Sequence, residues 1–341
     1  MGRTTQYNKI TSPEVLAQVN PDNMQLKQDF LAYLKSVKRS DGTIKGYAND
    51  LDIVMVYILQ RCGNKKFIDV KKREFIAMQT WLIDEHGNSP ARVRRIKAVI
   101  SSLTNYITNI LADDEPEEFG HYRPQIRAIE NPTNTPVREK TVLTDEQCQR
   151  VLSTLVHDKQ YDKACLFALG TFSGRRKSEL VRFKVSYFDD ENIIYGSLYK
   201  TPEKVLTKGS KYLTCYVLAK EFKPYFDLWM KERERLGIES EWLFPNPRNF
   251  EETLSIATVN SWTELYSRIA GVPVYMHALR HRFCTDLSKS GLPNDIITEI
   301  IGWSSAEMCK IYVDRDADER IGEYFDDGGI KQVEKTKLSD L

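Results

Sequence analysis

The chain has 341 residues, a formal net charge of +1, and 41% apolar and 28% charged residues. That length can hold two ordinary cores, and the composition is that of a folded globular protein, which excludes a disordered one. No apolar run approaches the ~18 residues of a membrane span, and the opening MGRTTQYNKITSPEV lacks the apolar centre of a signal peptide, so a cytoplasmic protein is expected.

The six cysteines, Cys62, Cys148, Cys165, Cys215, Cys284 and Cys309, are scattered without a CxxC pair or a zinc-like His spacing, and read as reduced thiols. The Met-Gly start has no membrane-directed feature near it to support myristoylation.

Residues 1–23 show no periodicity and read as a lead-in. From Met24, apolar residues recur at helical spacing in MQLKQDFLAYLKSV and, after a Ser-Asp-Gly break, in TIKGYANDLDIVMVYILQR. KREFIAMQTWLIDEH predicts a third helix. A fourth, ARVRRIKAVISSLTNYITNIL, follows GNSP, where Ser89 suits the cap and Pro90 the first helical position. Its start is basic, with Arg92, Arg94, Arg95 and Lys97. Residues 24–112 therefore form one helical unit, and 113–140, with Pro, Gly and charge but no sustained apolar period, read as a linker.

A second unit, 141–320, opens with LTDEQCQRVLSTLV, where Thr144 and Gln147 make a capping box, and continues in YDKACLFALGTFSG. The period then changes. ENIIYGSLY and KYLTCYVL are rich in Ile, Tyr, Val and Thr and flank a charged connection, which predicts a small antiparallel sheet between helices. TVNSWTELYSRIAG, HALRHRFCTDLSKSG, PNDIITEIIGWS and SAEMCKIYVD are helix-like. The fold class is thus mainly α with a small antiparallel β-sheet in the second domain. From Asp314 onward nine acidic residues face five basic ones, a balance of −4 that leaves +5 on the rest. That tail contains a helical stretch with Ile321, Tyr324 and Phe325.

Chemistry gathers in the second unit. His277 and Arg280 lie three apart and share a helix face, and an imidazole beside a guanidinium suits an anion such as phosphate. Arg176 stands at a helix start, where free backbone N–H groups already favour anions, with Glu179 three residues on. Lys208 sits in the charged connection between the strands. Trp303 follows IIG, and Tyr312 lies nine residues beyond it.

In this order SGRRKSEL, TKGSK, HALRH and IIGWSSAEMCKIYVD resemble the boxes of the tyrosine recombinases, the superfamily of lambda integrase, Cre and Xer; TIKGYANDLDIV, with Thr43, Tyr47 and Asp50 on one face, resembles the family's core-binding motif. The resemblance covers roughly residues 24–320. It implies that Arg176 and Arg280 clamp the scissile phosphate, Lys208 is the acid for the leaving 5′ oxygen and His277 a general acid/base. It further makes Tyr312 the nucleophile and Glu179 a support for the site. Trp303 stands where most members have histidine, as in Cre; its indole N–H donates to phosphate but shuttles no proton. Arg175 and Lys177 depart from the family, which usually has apolar residues there.

The residue types suit the chemistry. Attack on a phosphodiester builds negative charge that two preorganised guanidiniums stabilise. The leaving hydroxyl needs a proton, and a 3′-phosphotyrosine stores the bond for religation, with no metal, cofactor or ATP implied.

By the same resemblance the two domains form a C-shaped clamp on a double-stranded DNA recombination site. The protein pairs as a dimer per site and a tetramer in synapse, with an accessory bending or directionality factor possible within the family. Lys45, Arg92, Arg94, Arg95, Lys97, Arg175, Lys211 and Arg282 are the candidate DNA contacts, Arg282 and His281 being alternatively just exposed. The tail, 321–341, fits contact with a neighbouring protomer or a solvated end. Three other readings stay open: a type IB topoisomerase, which shares the Arg, Lys, Arg, Tyr chemistry, a non-catalytic DNA-binding regulator on the same fold, and a hairpin telomere resolvase, which is usually larger.

Overall fold

A computed structural model describes residue 7, residues 10–133, 142–207 and 211–309, and the backbone of residues 325–326 and 329–330. The chain divides into two compact units, Met1–Glu139 and Lys140–Leu341.

The first unit is helical. α1 (Pro21–Ser36) starts at a proline behind Asn20, whose side chain accepts from Asp22 N–H (2.9 Å). α2 (Asp41–Arg61) is capped by Ser40, so the Ser-Asp-Gly break forms the cap and first turn of this helix. α3 (Lys72–Thr80) and α4 (Pro90–Tyr106) follow, the latter capped by Ser89 through Arg92 N–H (3.3 Å) with Pro90 at the first position. Phe30, Val54, Ile58, Phe75, Val93, Ile100 and Leu103 fill one core.

That core reaches further than the periodicity indicates at both ends. Ile10 and Val19, in the expected lead-in, are buried in it, and a helical turn, Pro13–Leu16, lies between them. Within the expected linker, Ile126 is buried and Phe119, Tyr122 and Ile129 pack against the same core. A few well-spaced apolar anchors hold these segments without a sustained pattern.

The second unit opens with α5 (Asp145–His157), closed by the expected box: Gln147 N–H donates to Thr144 Oγ1 (3.2 Å) and Thr144 N–H to Gln147 Oε1 (2.9 Å). α6 (Tyr161–Ser173) is buried along nearly its whole length. β1 (Ile193–Ile194), β2 (Leu198–Lys200) and β5 (Tyr216–Leu218) make an antiparallel sheet in the order β1-β2-β5, with Tyr199 opposite both Ile193 and Val217. Between β2 and β5 the chain forms a second hairpin, β3 (Val205–Leu206) with β4 (Tyr212–Leu213).

One helix and one strand pair lie outside the sequence expectations. α7 (Ala219–Arg235) buries Phe222, Phe226, Trp229 and Arg233 at helical spacing despite Pro224, and β6 (Pro245–Asn246) pairs with β7 (Asn249–Thr253). α8 (Ile256–Ala270), α9 (Met276–Lys289) and α10 (Asn294–Ile301) complete the described helices of eight residues or more. Phe283 and Leu287 anchor α9, packing with Ile297 and Ile301 of α10.

In the tail, the backbone of β8 (Phe325–Asp326) pairs with that of β9 (Gly329–Ile330), so Phe325 is in a strand rather than in the expected helix. The intervening Asp-Gly pair is itself a hairpin signal. Among the described residues no helix is long and apolar enough to cross a membrane.

Candidate active site

α6 ends at Gly174, whose φ of 60° is left-handed and whose missing Cβ would stand 2.6 Å from Phe283 Cδ1. The chain reverses there and presents Arg175 and Arg176 ahead of the short helix Lys177–Leu180. Glu179, fully buried, accepts from Arg176 N–H through Oε2 and from Arg176 Nη1 through Oε1, each at 3.0 Å. This carboxylate fixes both the backbone and the head of Arg176, which retains partial exposure.

α9 supplies His277 and Arg280 one turn apart. Arg280 is buried; its Nη1 donates to Gly174 O (2.9 Å) and its Nη2 to Ile301 O (3.4 Å), while its Cζ lies 5.4 Å from the centre of the Trp303 ring. One guanidinium therefore joins the turn before Arg176, the end of α10 and the Trp303 segment. The His277 ring stands edge-on to His281, with centres 5.5 Å apart.

The electrostatics record how closely these cations sit. Burial first, then the charges of Arg176 and Arg175, lower the Arg280 pKa to about 10. His277 is open to solvent on one face. Packing around the rest of its ring, followed by His281, Arg280 and Arg176, nevertheless brings its pKa down to about 4, so it is neutral at neutral pH. Mutual repulsion between Arg176 and Arg280, the same field that keeps His277 neutral, is the condition that a bound anion relieves.

The hairpin β3–β4 stands beside this cluster. Its loop is closed by Thr207 N–H donating to Lys211 O (2.7 Å), and Arg182 Nη1 donates to Leu206 O (3.1 Å). Leu213 occupies the space that a Cβ on Gly302 (φ 74°) would need, which places the base of the hairpin against the residue before Trp303. Lys208, in the loop, lies outside the described residues. So does Tyr312, beyond the 3-10 turn Ala306–Met308 that Ser305 caps through Glu307 N–H (3.2 Å).

The expected DNA contacts divide. Lys45 and Lys211 are exposed. Arg92 and Arg95 both pair with buried Asp50, at 2.5 and 3.0 Å, while retaining exposed surface.

Four others are held by partners inside the protein. Lys97 is buried and donates to Ile129 O and Glu130 O (both 2.8 Å), and Arg94 donates to Pro132 O through Nε (3.0 Å) and Nη2 (2.8 Å). Arg282 is buried, donates to Leu143 O (2.7 Å) and pairs with Asp145 and with Asp286 (3.2 Å). Arg175 is wholly buried, bonded to Ile300 O and, at 3.4 Å, to Ser173 O. Each of these cations has internal backbone or carboxylate acceptors, which a phosphate would have to displace. His281 is likewise buried rather than exposed.

The sequence reading did not anticipate the carbonyls of Gly174, Ile300 and Ile301. Backbone acceptors have no residue signature, although the positive-φ glycines 174 and 302 mark where those carbonyls turn inward.

The profile of the phage integrase family matches residues 141–319. The SPbeta prophage-derived recombinase-like protein YomM of Bacillus subtilis (strain 168) is 29% identical over 242 residues, covering 69% of this chain and 70% of that one. The tyrosine recombinase XerA of Pyrococcus furiosus is 29% identical over 278 residues, covering 75% and 88%. Among solved structures, the XerH site-specific recombinase bound to palindromic difH substrate superposes with a TM-score of 0.64 at 18% identity, over 93% of this chain and 91% of that one. A lambda integrase dimer bound to a COC′ core site gives 0.61 at 17% identity, over 90% and 83%.

Proposed function

The chain belongs to the phage integrase family, and on that premise we propose a mechanism in which six of its residues cut and rejoin DNA. The protein is a site-specific tyrosine recombinase acting on DNA. The observation that carries the residue assignment is the convergence of Arg176, His277 and Arg280, from two sequence-distant segments, into one cationic cluster held by Glu179 and by backbone carbonyls.

Arg176 and Arg280 hold the non-bridging oxygens of the scissile phosphate and stabilise the charge that grows there. The Tyr312 hydroxyl attacks phosphorus, giving its proton to His277, which is neutral and so able to accept it. The P–O bond to the 5′ oxygen breaks and Lys208 protonates that oxygen. A 3′-phosphotyrosine remains, and attack by a second 5′ hydroxyl reverses the steps and frees Tyr312. Trp303 donates its indole N–H to a phosphate oxygen. The helical first unit, with Lys45, Arg92 and Arg95, grips the flanking duplex through backbone phosphates. Two protomers occupy each site and four make the synapse in the cytoplasm, with accessory proteins setting direction.

The test is covalent capture. Nicked duplexes carrying candidate sites are incubated with the protein and a chelator, then run on a denaturing gel. Wild type is expected to give a DNA-linked band and Tyr312→Phe none. A band that persists in Tyr312→Phe, or wild type that binds a site yet never links to it, overturns the assignment. Relaxation of any supercoiled plasmid without site preference would mark a type IB topoisomerase instead.

A further inference from the structure

Arg175 is a buried cation that no carboxylate pairs with among the described residues. It is one of the largest fully buried side chains in the protein, and the neighbouring carboxylate, Glu179, is bonded to Arg176 instead. Its Nη1 is buried without a hydrogen-bond partner among the described residues. An unmet buried donor is costly, and an apolar side chain of similar volume would serve packing better.

The groups that Arg175 does contact point to a different purpose. Its Nη2 donates to Ile300 O, while Arg280 Nη2 donates to the next carbonyl, Ile301 O. These are the last two residues of α10, whose terminal carbonyls carry the negative end of the helix dipole. Gly302 then turns the chain in the left-handed region, and Trp303 follows, with its ring facing the Arg280 guanidinium. Two arginines from different segments thus grip consecutive carbonyls immediately before Trp303.

We propose that Arg175 is a positioning residue: by holding the C-terminus of α10 beside Arg280, it sets the place of Trp303 against the scissile phosphate. This rests on the recombinase reading of the site. Arg175 acts through these neighbours and does not touch DNA.

The protein has five tryptophans, so uniform 5-fluorotryptophan labelling of the full chain gives five fluorine resonances, with that of Trp303 assigned by its loss in Trp303→Phe. In Arg175→Met the Trp303 line is expected to move while the other four stay. Covalent cleavage of saturating nicked duplex should slow at least tenfold, with half-saturating DNA unchanged. Arg175→Lys, which keeps a donor but loses the fork, should fall between the two in both readouts. An unmoved Trp303 line in both variants, or a rate loss matched by an equal loss of DNA affinity, overturns the proposal. Movement of all five lines together in both variants also overturns it, because it makes Arg175 a general core residue. If wild type itself forms no DNA-linked band, the recombinase assignment fails separately, and the fluorine lines still decide whether Arg175 places Trp303.

Discussion

Glu179 holds Arg176 at two points, taking its backbone N–H on one carboxylate oxygen and its guanidinium on the other, both at 3.0 Å. Glu179→Gln keeps the shape but returns a full positive charge to the cluster and replaces one acceptor with a donor. Breaking a buried pair costs about 3–5 kcal/mol, and the partial exposure of Arg176 reduces this to about 2 kcal/mol. Thermal denaturation should show that loss, and covalent cleavage should slow by more than about tenfold through misplacement of Arg176. Unchanged cleavage would remove Glu179 from the site.

Arg280→Lys separates charge from geometry. A lysine ammonium cannot reproduce the planar fork that reaches Gly174 O and Ile301 O together. Cleavage should fall by about 100-fold or more, the scale for losing a preorganised oxyanion donor, while DNA affinity changes only a few-fold. Equal losses in both would show that Arg280 serves binding alone.

The low pKa of His277 has a definite sign in stability and in binding. The unfolded chain takes up this proton near pH 6.5 and the folded chain only near 4, so stability falls as pH drops through that window. A bound phosphate raises this pKa from about 4 but leaves it below neutrality, so the ring stays neutral for the Tyr312 proton at pH 7, and DNA binding takes up a proton and tightens only as the pH falls into the acid range. Imidazole titration by NMR, with His277 assigned by His277→Asn among the five histidines, reads the first point, and calorimetry in buffers of different ionisation enthalpy the second. Titration of His277 near 6.5 in the free protein would sink the account.

Asp50→Asn releases two arginines at once. Its carboxylate is buried, whereas Arg92 and Arg95 are partly exposed, so the folding loss should be about 2 kcal/mol. The freed charges should steepen the salt dependence of DNA binding by about 1–2 in the slope of log K against log salt. An unchanged slope would place Arg92 and Arg95 away from the phosphates.

Helix ends were the most legible part of the structure. Ser89 with Pro90, and Thr144 with Gln147, are local devices whose partners lie within three residues, and both act as read. The ordered boxes likewise exposed Arg176, His277 and Arg280, since each motif is short and carries its own spacing.

What stayed hidden depends on distant partners. A basic residue in a sequence shows its charge but not its acceptor, so Lys97, Arg94 and Arg282 read as DNA contacts although remote carbonyls and carboxylates hold them. α7 was hidden by Pro224 and by charges that mask the spacing of Phe222, Phe226, Trp229 and Arg233. Ile10 and Ile126 are single anchors, too sparse to make a period.

The capture of α10 by Arg175 and Arg280 has a further consequence for the range of conditions the enzyme tolerates. Carboxylates release their cations when acid neutralises them, but the oxygens of Ile300, Ile301 and Gly174 have no proton to gain or lose across the biological range. Acidification toward pH 4 can therefore reach the site through His277 while these carbonyl anchors keep their grip. The architecture of the clamp is insulated from the same protons that its chemistry uses.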